Sequence, residues 1–308
     1  MSSRIEPFVA TLIAPAPDGE LAHAIAQVAD LLPAAGTPVW IDPDRAVDVP
    51  FAAEPERLPE LRATLAAWVD AGGRFDAVLQ PRAGRRKRLF LADMDSTMIG
   101  QECIDELADY AGLKPQVAAI TERAMRGELA FEPALRERVG LLAGLPVGIV
   151  DEIIASRLTL TPGGATLLRT MRAHGTYACL VSGGFTLFTG PIAARLGFDE
   201  NRGNALLADD GRLTGHVGEP ILGQAAKLAT LIELRDRLRL AAHDTMAVGD
   251  GANDLAMIGA AGLGVAFRAK PAVAAAAAAR LDRTDLTSLL FAQGYRRDSF
   301  VEARADIC

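Results

Sequence analysis

Two rhythms of apolar residues divide the 308-residue chain. Over residues 7–80, apolar runs at Phe8–Ile13, Val39–Ile41 and Ala77–Leu79 alternate with helical periodicities at Leu21–Leu32 and Pro59–Val69. A weaker extended segment near Val47–Phe51 completes the order βαββαβ. From Leu89 onward, short and wholly apolar segments alternate with longer helices. These segments are Leu89–Ala92, Tyr177–Val181, Met246–Val248 and Leu263–Ala266. Strands apolar on both faces predict a parallel sheet covered on both sides. Between the first two lie about eighty residues of helical periodicity, interrupted at Gly112, Gly127 and Gly144-Leu145-Pro146, which read as three or four short helices. A simple crossover needs one, so the surplus predicts a helical cap at about residues 98–160, over the carboxyl ends of the strands. Asp209-Asp210-Gly211 predicts the turn of a hairpin within Ala205–Val217.

The two rhythms predict two units. Residues 1–84 read as a small N-terminal α+β unit of ferredoxin-like order, a pattern that hosts many functions and assigns none. Residues 85–308 read as an α/β unit, a Rossmann-like three-layer parallel sheet carrying the inserted cap. Between them, Pro81-Arg82-Ala83-Gly84-Arg85-Arg86-Lys87-Arg88 reads as a solvated linker. The formal net charge of -7 argues against a nucleic-acid or anionic-membrane partner, which needs a basic face, and favours a small soluble substrate. Cys103, Cys179 and Cys308 are far apart and form no CxxC pair, so neither a disulfide framework nor a zinc site is expected, and a reducing cytoplasm is. The run Phe8–Ile13 is too short for a signal segment, and Ala274–Ala279 is too short to span a bilayer.

Candidate chemistry gathers where the strands of the larger unit end. Three of the four run into polar or glycine-rich turns: Asp93-Met94-Asp95-Ser96-Thr97, Ser182-Gly183-Gly184 and Gly249-Asp250-Gly251. In open α/β sheets such turns converge on one crevice. Asp93 and Asp95, two apart in extended chain, direct both carboxylates to one side. Their repulsion is tolerable if a cation lies between them or one keeps its proton. Phosphoryl transfer uses both options, with Asp93 as nucleophile and Asp95 as acid and then base. The structural alternative is a pair of capping aspartates ahead of a helix. Asp250 supplies a third carboxylate, so Asp93, Asp95 and Asp250 suit a hard oxygen-ligated cation such as Mg²⁺, with Asp254 behind them. Ser182 and Gly183 open a helix where N–H groups and a hydroxyl can cradle phosphate. Lys227 offers a compact positive charge to the phosphate and to Asp93.

Together and in this order, Asp93-x-Asp95-Ser96-Thr97, Ser182-Gly183-Gly184, Lys227 and Gly249-Asp250-Gly251-Ala252-Asn253-Asp254 resemble the four motifs of the haloacid dehalogenase-like superfamily. Within it, roughly residues 85–292 resemble the phosphoserine phosphatases of the bacterial SerB type. That finer resemblance lies in the cap, in Glu102-Cys103-Ile104-Asp105-Glu106-Leu107-Ala108 and Phe131-x-x-x-Leu135-Arg136-x-Arg138-Val139-x-Leu141-Leu142. It implies a Mg²⁺-dependent hydrolase that releases serine and phosphate from O-phospho-L-serine through an aspartyl-phosphate, the last step of serine biosynthesis. It also implies that Glu102 faces the substrate's ammonium, Arg138 grips its carboxylate, Met125 and Phe131 close over it, and Asn253 joins Ser182, Gly183 and Lys227 around it. An arginine fork matches a carboxylate, and a zwitterion needs one partner of each sign. The rivals are a phosphatase or phosphotransferase acting on phosphohomoserine or another small phosphorylated acid, and a non-catalytic amino-acid sensor. Enzymes of this type often carry an ACT-like extension, and whether residues 1–84 sense serine, form a homodimer or stabilise the fold stays open.

Overall fold

In the computed structural model, which describes residues 5–72, 74–126 and 128–302, the first rhythm folds as β1 (Glu6–Ile13), α1 (Leu21–Leu31), β2 (Val39–Asp42), β3 (Ala46–Ala53), α2 (Leu58–Gly72) and β4 (Asp76–Pro81). The strands pair antiparallel in the order β2-β3-β1-β4, the ferredoxin-like order. β1 is buried over six successive residues because each face has its own cover. Phe8, Ala10 and Leu12 pack beneath α1 and α2 with Leu21, Val28, Leu61 and Leu65. Ile13 belongs to a separate cluster with Ile41 and Phe291 from the far end of the chain.

The second rhythm opens with β5 (Leu89–Ala92), followed by four cap helices, α3 (Cys103–Tyr110), α4 (Lys114–Met125), α5 (Phe131–Gly140) and α6 (Ile149–Ser156). The chain then returns through α7 (Gly164–Ala173), β6 (Tyr177–Phe185), α8 (Thr186–Leu196) and β7 (Glu200–Asn204) to the expected hairpin, β8 (Leu206–Asp209) and β9 (Arg212–Val217). It finishes with α9 (Gln224–Arg237), β10 (Thr245–Gly249), α10 (Leu255–Ala260), β11 (Leu263–Phe267), α11 (Pro271–Ala276), β12 (Ala279–Leu281) and α12 (Ser288–Ala292). β5, β10 and β11 are buried at every position, as strands covered on both faces must be. No helix among the described residues is long and apolar enough to cross a membrane.

Among the described residues ten strands join in one sheet, β2-β3-β1-β4-β12-β11-β10-β5-β6-β7, with the segment from β12 to β7 parallel throughout. At the seam β4 and β12 share a single bridge, Arg280 to Ala77. Side chains reinforce it. Asp76 is 1% exposed, and its carboxylate accepts the backbone N–H of Asp282, Arg283 and Thr284 at 3.1, 3.1 and 2.9 Å and the Thr284 hydroxyl at 2.7 Å. Those donors replace the water that a buried carboxylate forfeits. The basic run after β4 is not the solvated linker its composition suggested. Arg85 pairs with Asp48 at 2.6 Å, Arg86 lies 4.3 Å over the Tyr295 ring, and Lys87 donates from a buried position to the carbonyls of Gly84 and His243 at 3.1 and 2.9 Å. Carbonyls, a carboxylate and a π face satisfy these charges in place of water.

The cap is anchored beside the active crevice by the β8–β9 hairpin. Gly144 and Val147 donate N–H bonds to the carbonyls of Leu213 and Gly211 at 2.8 and 2.9 Å, and Arg212 donates to the Gly144 carbonyl at 2.7 Å. α5 thereby faces the carboxyl ends of β5, β6 and β10.

Candidate active site

At the end of β5, Asp93 stays in extended geometry and its N–H still bonds the Val248 carbonyl of β10, at 3.0 Å. Asp95 is extended too (φ −63°, ψ 137°), and Met94 between them is fully buried. Both carboxylates consequently leave the sheet toward the crevice. Ser96, at φ +55°, then turns the chain away.

The two carboxylates have different surroundings. Asp93 Oδ1 accepts the Met94 N–H at 2.7 Å and lies 2.8 Å from the ammonium of Lys227. Lys227, from the first turn of α9, is 0% exposed and also reaches Asp254 at 2.7 Å. Burial lowers a lysine's affinity for its proton, but Asp93 and Asp254 outweigh that, and Lys227 is held above its ordinary value. Asp254 also accepts the Gly251 N–H at 3.1 Å. This carboxylate packs so tightly under Gly249 that a Cβ there would come within 2.4 Å of it.

Sequence reasoning placed the Asp95 carboxylate in the cation set and Asp254 behind it. The carboxylate oxygens that lie within 4.8 Å of one another are those of Asp93, Asp250 and Asp254. Asp95 is drawn away by α3, whose Cys103 N–H donates to its Oδ1 at 3.2 Å. Its other oxygen faces Gly184, where a Cβ would stand 2.9 Å away. Burial, then the charge of Glu102, push the Asp95 carboxyl up to about 8, so it keeps its proton near neutral pH. Burial and Asp93 likewise raise Asp250, against a 3.2 Å hydrogen bond from the Thr97 hydroxyl.

A cavity of about 290 Å³ opens above these groups, lined by Asp93, Asp95, Ser182, Gly183, Gly184, Asp250 and Asn253 from the sheet side and by Glu102, Phe131, Leu135 and Arg138 from the cap side. Lys227 and Asp254 sit beneath its floor. Glu102 keeps solvent contact at the mouth, yet enclosure by the cap raises its carboxyl against a 2.6 Å hydrogen bond from Ser96. Arg138 is braced by the Ala134 carbonyl at 3.2 Å, and burial lowers its affinity for its proton despite the pull of Asp105 and Glu102. The Phe131 ring spans two glycines: Cβ atoms at Gly183 and Gly223 would each touch it at 3.4 Å. Met125 closes α4, and its side chain lies outside the described residues, as does Cys308.

Two residues of this site escaped the sequence analysis. Asn204, at the end of β7 and 1% exposed, donates to the carbonyls of Gly183 and Leu222 at 2.7 and 3.1 Å and accepts the Leu222 N–H at 2.7 Å. It ties the last residues of β6, which runs on through Ser182-Gly183-Gly184 to Phe185 instead of turning after Val181, to the segment leading into Lys227. An asparagine in the polar strand ENRGN carries no periodic signal. Lys270 also lines the cavity. Its signal was available: it follows β11, whose carboxyl end opens on the same edge of the sheet as the other three strands.

Comparison with known proteins agrees with this geometry. Residues 90–259 match the model of the haloacid dehalogenase-like hydrolase family. A phosphoserine phosphatase of Mycobacterium tuberculosis is 45% identical over 226 residues, covering 73% of this chain and 55% of that protein. The chain thus spans little more than half of that relative's length. A solved phospho-aspartyl intermediate analogue of phosphoserine phosphatase superposes with a TM-score of 0.62 at 40% identity, over 67% of this chain and 98% of the other. A hydrolase of the same family from Salmonella enterica serovar Typhi aligns with a TM-score of 0.82 at 31% identity, over 92% of this chain and 97% of its own. Motif order, the paired carboxylates at the end of β5 and the family match over more than half of the chain lead to one conclusion: the chain belongs to the haloacid dehalogenase-like hydrolases.

Proposed function

We propose that the chain hydrolyses O-phospho-L-serine to L-serine and phosphate through a phosphorylated Asp93. The observation that carries this reading is one cavity holding two groups of matched tasks: Asp93 fixed by Lys227 beside a protonated Asp95 on the sheet side, and Glu102 with Arg138 on the cap side. The second pair has the opposite charges to an amino acid's ammonium and carboxylate.

An Asp93 carboxylate oxygen attacks phosphorus as the bond to the serine oxygen breaks, and the Asp95 carboxyl gives its proton to the departing alkoxide. Asp95, now ionised, takes a proton from the water that attacks the acyl-phosphate. Phosphate leaves and both residues return to their starting states. Lys227 holds Asp93 in position and balances charge throughout. The end of β6 offers the Ser182 hydroxyl, which accepts the Gly184 N–H at 2.9 Å, and the Gly183 N–H to phosphate oxygens. Phe131, itself partly exposed, lies over Gly183 and Gly223 at the cap side of the cavity.

Three carboxylates of Asp93, Asp250 and Asp254 crowd against one lysine, a donor set of hard oxygens with an excess of negative charge that fits a divalent cation. Asp93 and Asp250 would hold Mg²⁺, with Asp254 steadied by Lys227 beside them, and the ion would neutralise phosphate oxygens. A panel of phosphoserine, phosphohomoserine, phosphothreonine and phosphoglycolate, assayed with Mg²⁺ and with chelator, tests the reading. Phosphoserine should have the highest kcat/KM and require the ion. A preference for a substrate without an ammonium group would overturn it.

A further inference from the structure

We infer that Lys270 is a further phosphate-binding residue of this site, the cation that meets the phosphate group at the mouth and contacts its outer oxygens when bound. The inference rests on the proposed phosphomonoester chemistry. Besides the protonated Asp95, three acids line the cavity, Asp93, Glu102 and Asp250, and face an incoming dianion. Lys227 does not offset them at the entrance, because it is 0% exposed and its ammonium is committed to Asp93 and Asp254. Of the two cations in the lining, Arg138 stands on the cap side, in α5. Lys270 stands on the sheet side.

Two observations make Lys270 suited to the task. Its backbone is fixed to the site: its N–H donates to the Asp250 carbonyl at 3.2 Å, and it caps the start of α11. Its side chain is exposed and makes no ion pair among the described residues, so its ammonium is uncommitted. A compact ammonium on a flexible stem can follow a phosphate from the mouth to its bound position. Without that charge, the sheet side of the lining presents no exposed side-chain cation to an incoming phosphate dianion.

The test uses the full chain with Mg²⁺, inorganic phosphate as competitive inhibitor, and two substrates, phosphoserine and p-nitrophenyl phosphate. Lys270→Gln should raise KM for both substrates and Ki for inorganic phosphate by about three- to tenfold, the range for one charge-assisted contact at a partly open site. Lys270→Arg should restore most of the loss, and added salt should narrow the gap between parent and variant. An unchanged Ki for phosphate in Lys270→Gln would overturn the inference. So would a variant whose Mg²⁺ requirement shifts while its phosphate Ki stays put, because the lysine would then act on the cation. The substrate reading fails separately: a parent protein that turns over p-nitrophenyl phosphate but not phosphoserine refutes that reading and still measures Lys270.

Discussion

Replacing Lys227 with methionine keeps the length and apolar stem of the side chain and removes its charge. Lys227 is fully buried, with its ammonium 2.8 Å from Asp93 and 2.7 Å from Asp254. Removing one partner of a buried ionic group costs about 3–5 kcal/mol, because the remaining charges lose both water and counter-ion. At about 2 °C per kcal/mol for a chain of this size, Tm should fall by about 6–10 °C. The sign of the pH dependence follows from the carboxyls. Burial and Asp93 already raise Asp250 and Asp254 above their ordinary values, and loss of Lys227 raises Asp254 further. An acid with a raised folded-state pKa destabilises the fold as pH climbs from its unfolded to its folded value. The cost of Lys227→Met should therefore be greatest at about pH 8 and shrink toward about pH 5 as the carboxyls take up protons. Urea unfolding followed by circular dichroism, in chelator, measures it at both pH values. Lys227→Met/Asp254→Asn should recover part of the loss. A destabilisation below about 1 kcal/mol at pH 8, or one equal at both pH values, would refute the electrostatic account of this cluster.

Three further outcomes are expected. Arg138→Ala should raise KM for phosphoserine by about 10- to 100-fold, as loss of charge-assisted hydrogen bonds worth about 1.5–3 kcal/mol requires, and steady-state kinetics with unchanged KM would remove Arg138 from the substrate site. Asn204→Ala strands the Gly183 carbonyl and both backbone groups of Leu222; it should cost about 2–4 kcal/mol in urea unfolding and reduce phosphate affinity, whereas loss of stability with full affinity would make Asn204 a scaffold residue only. Glu200 gives a surface control: burial alone would raise its carboxyl, but hydrogen bonds from Arg237, Tyr177 and Arg202 hold it at about 2. Its folded value lies below the unfolded one, so its contribution is complete above about pH 5 and disappears as pH falls through about 2; discounted for partial exposure it is about 1–2 kcal/mol. The stability gap between the parent and Glu200→Gln should close over that acid range, and a flat gap would count against it.

Legibility in the sequence followed burial. β5, β10 and β11 are buried on both faces and read directly as apolar runs, while glycines in the sequence between the helical periodicities separate the helices of the cap. β7 is polar because it lies at the sheet's edge, and β12 is three residues that begin on the last alanine of a run, so neither announced itself. Without β12 the joining of β4 to the rest of the sheet could not be foreseen, nor could the long-range donors that satisfy Asp76 from residues 282–284. In the site, Asp93, Asp95 and Asp250 were visible because chemistry at a strand end needs those residue types in that order. The detail that α3 turns the Asp95 carboxylate away, leaving Asp254 nearer to Asp93 and Asp250, depends on one backbone N–H 8 residues further along. Asn204 acts through backbone groups of Gly183 and Leu222, contacts that residue identity does not encode.

The proposed phosphorylation of Asp93 is the step most open to direct observation. Acid quenching during turnover of radiolabelled phosphoserine in Mg²⁺, followed by borohydride reduction and peptide mass mapping, locates the acyl-phosphate. Label and reduction should fall on residue 93 alone and vanish in Asp93→Asn, with Asp95→Asn accumulating or blocking it without moving it. Phosphate released at the parental rate by Asp93→Asn, or label mapped to Asp95, Asp250 or Asp254, would contradict the account.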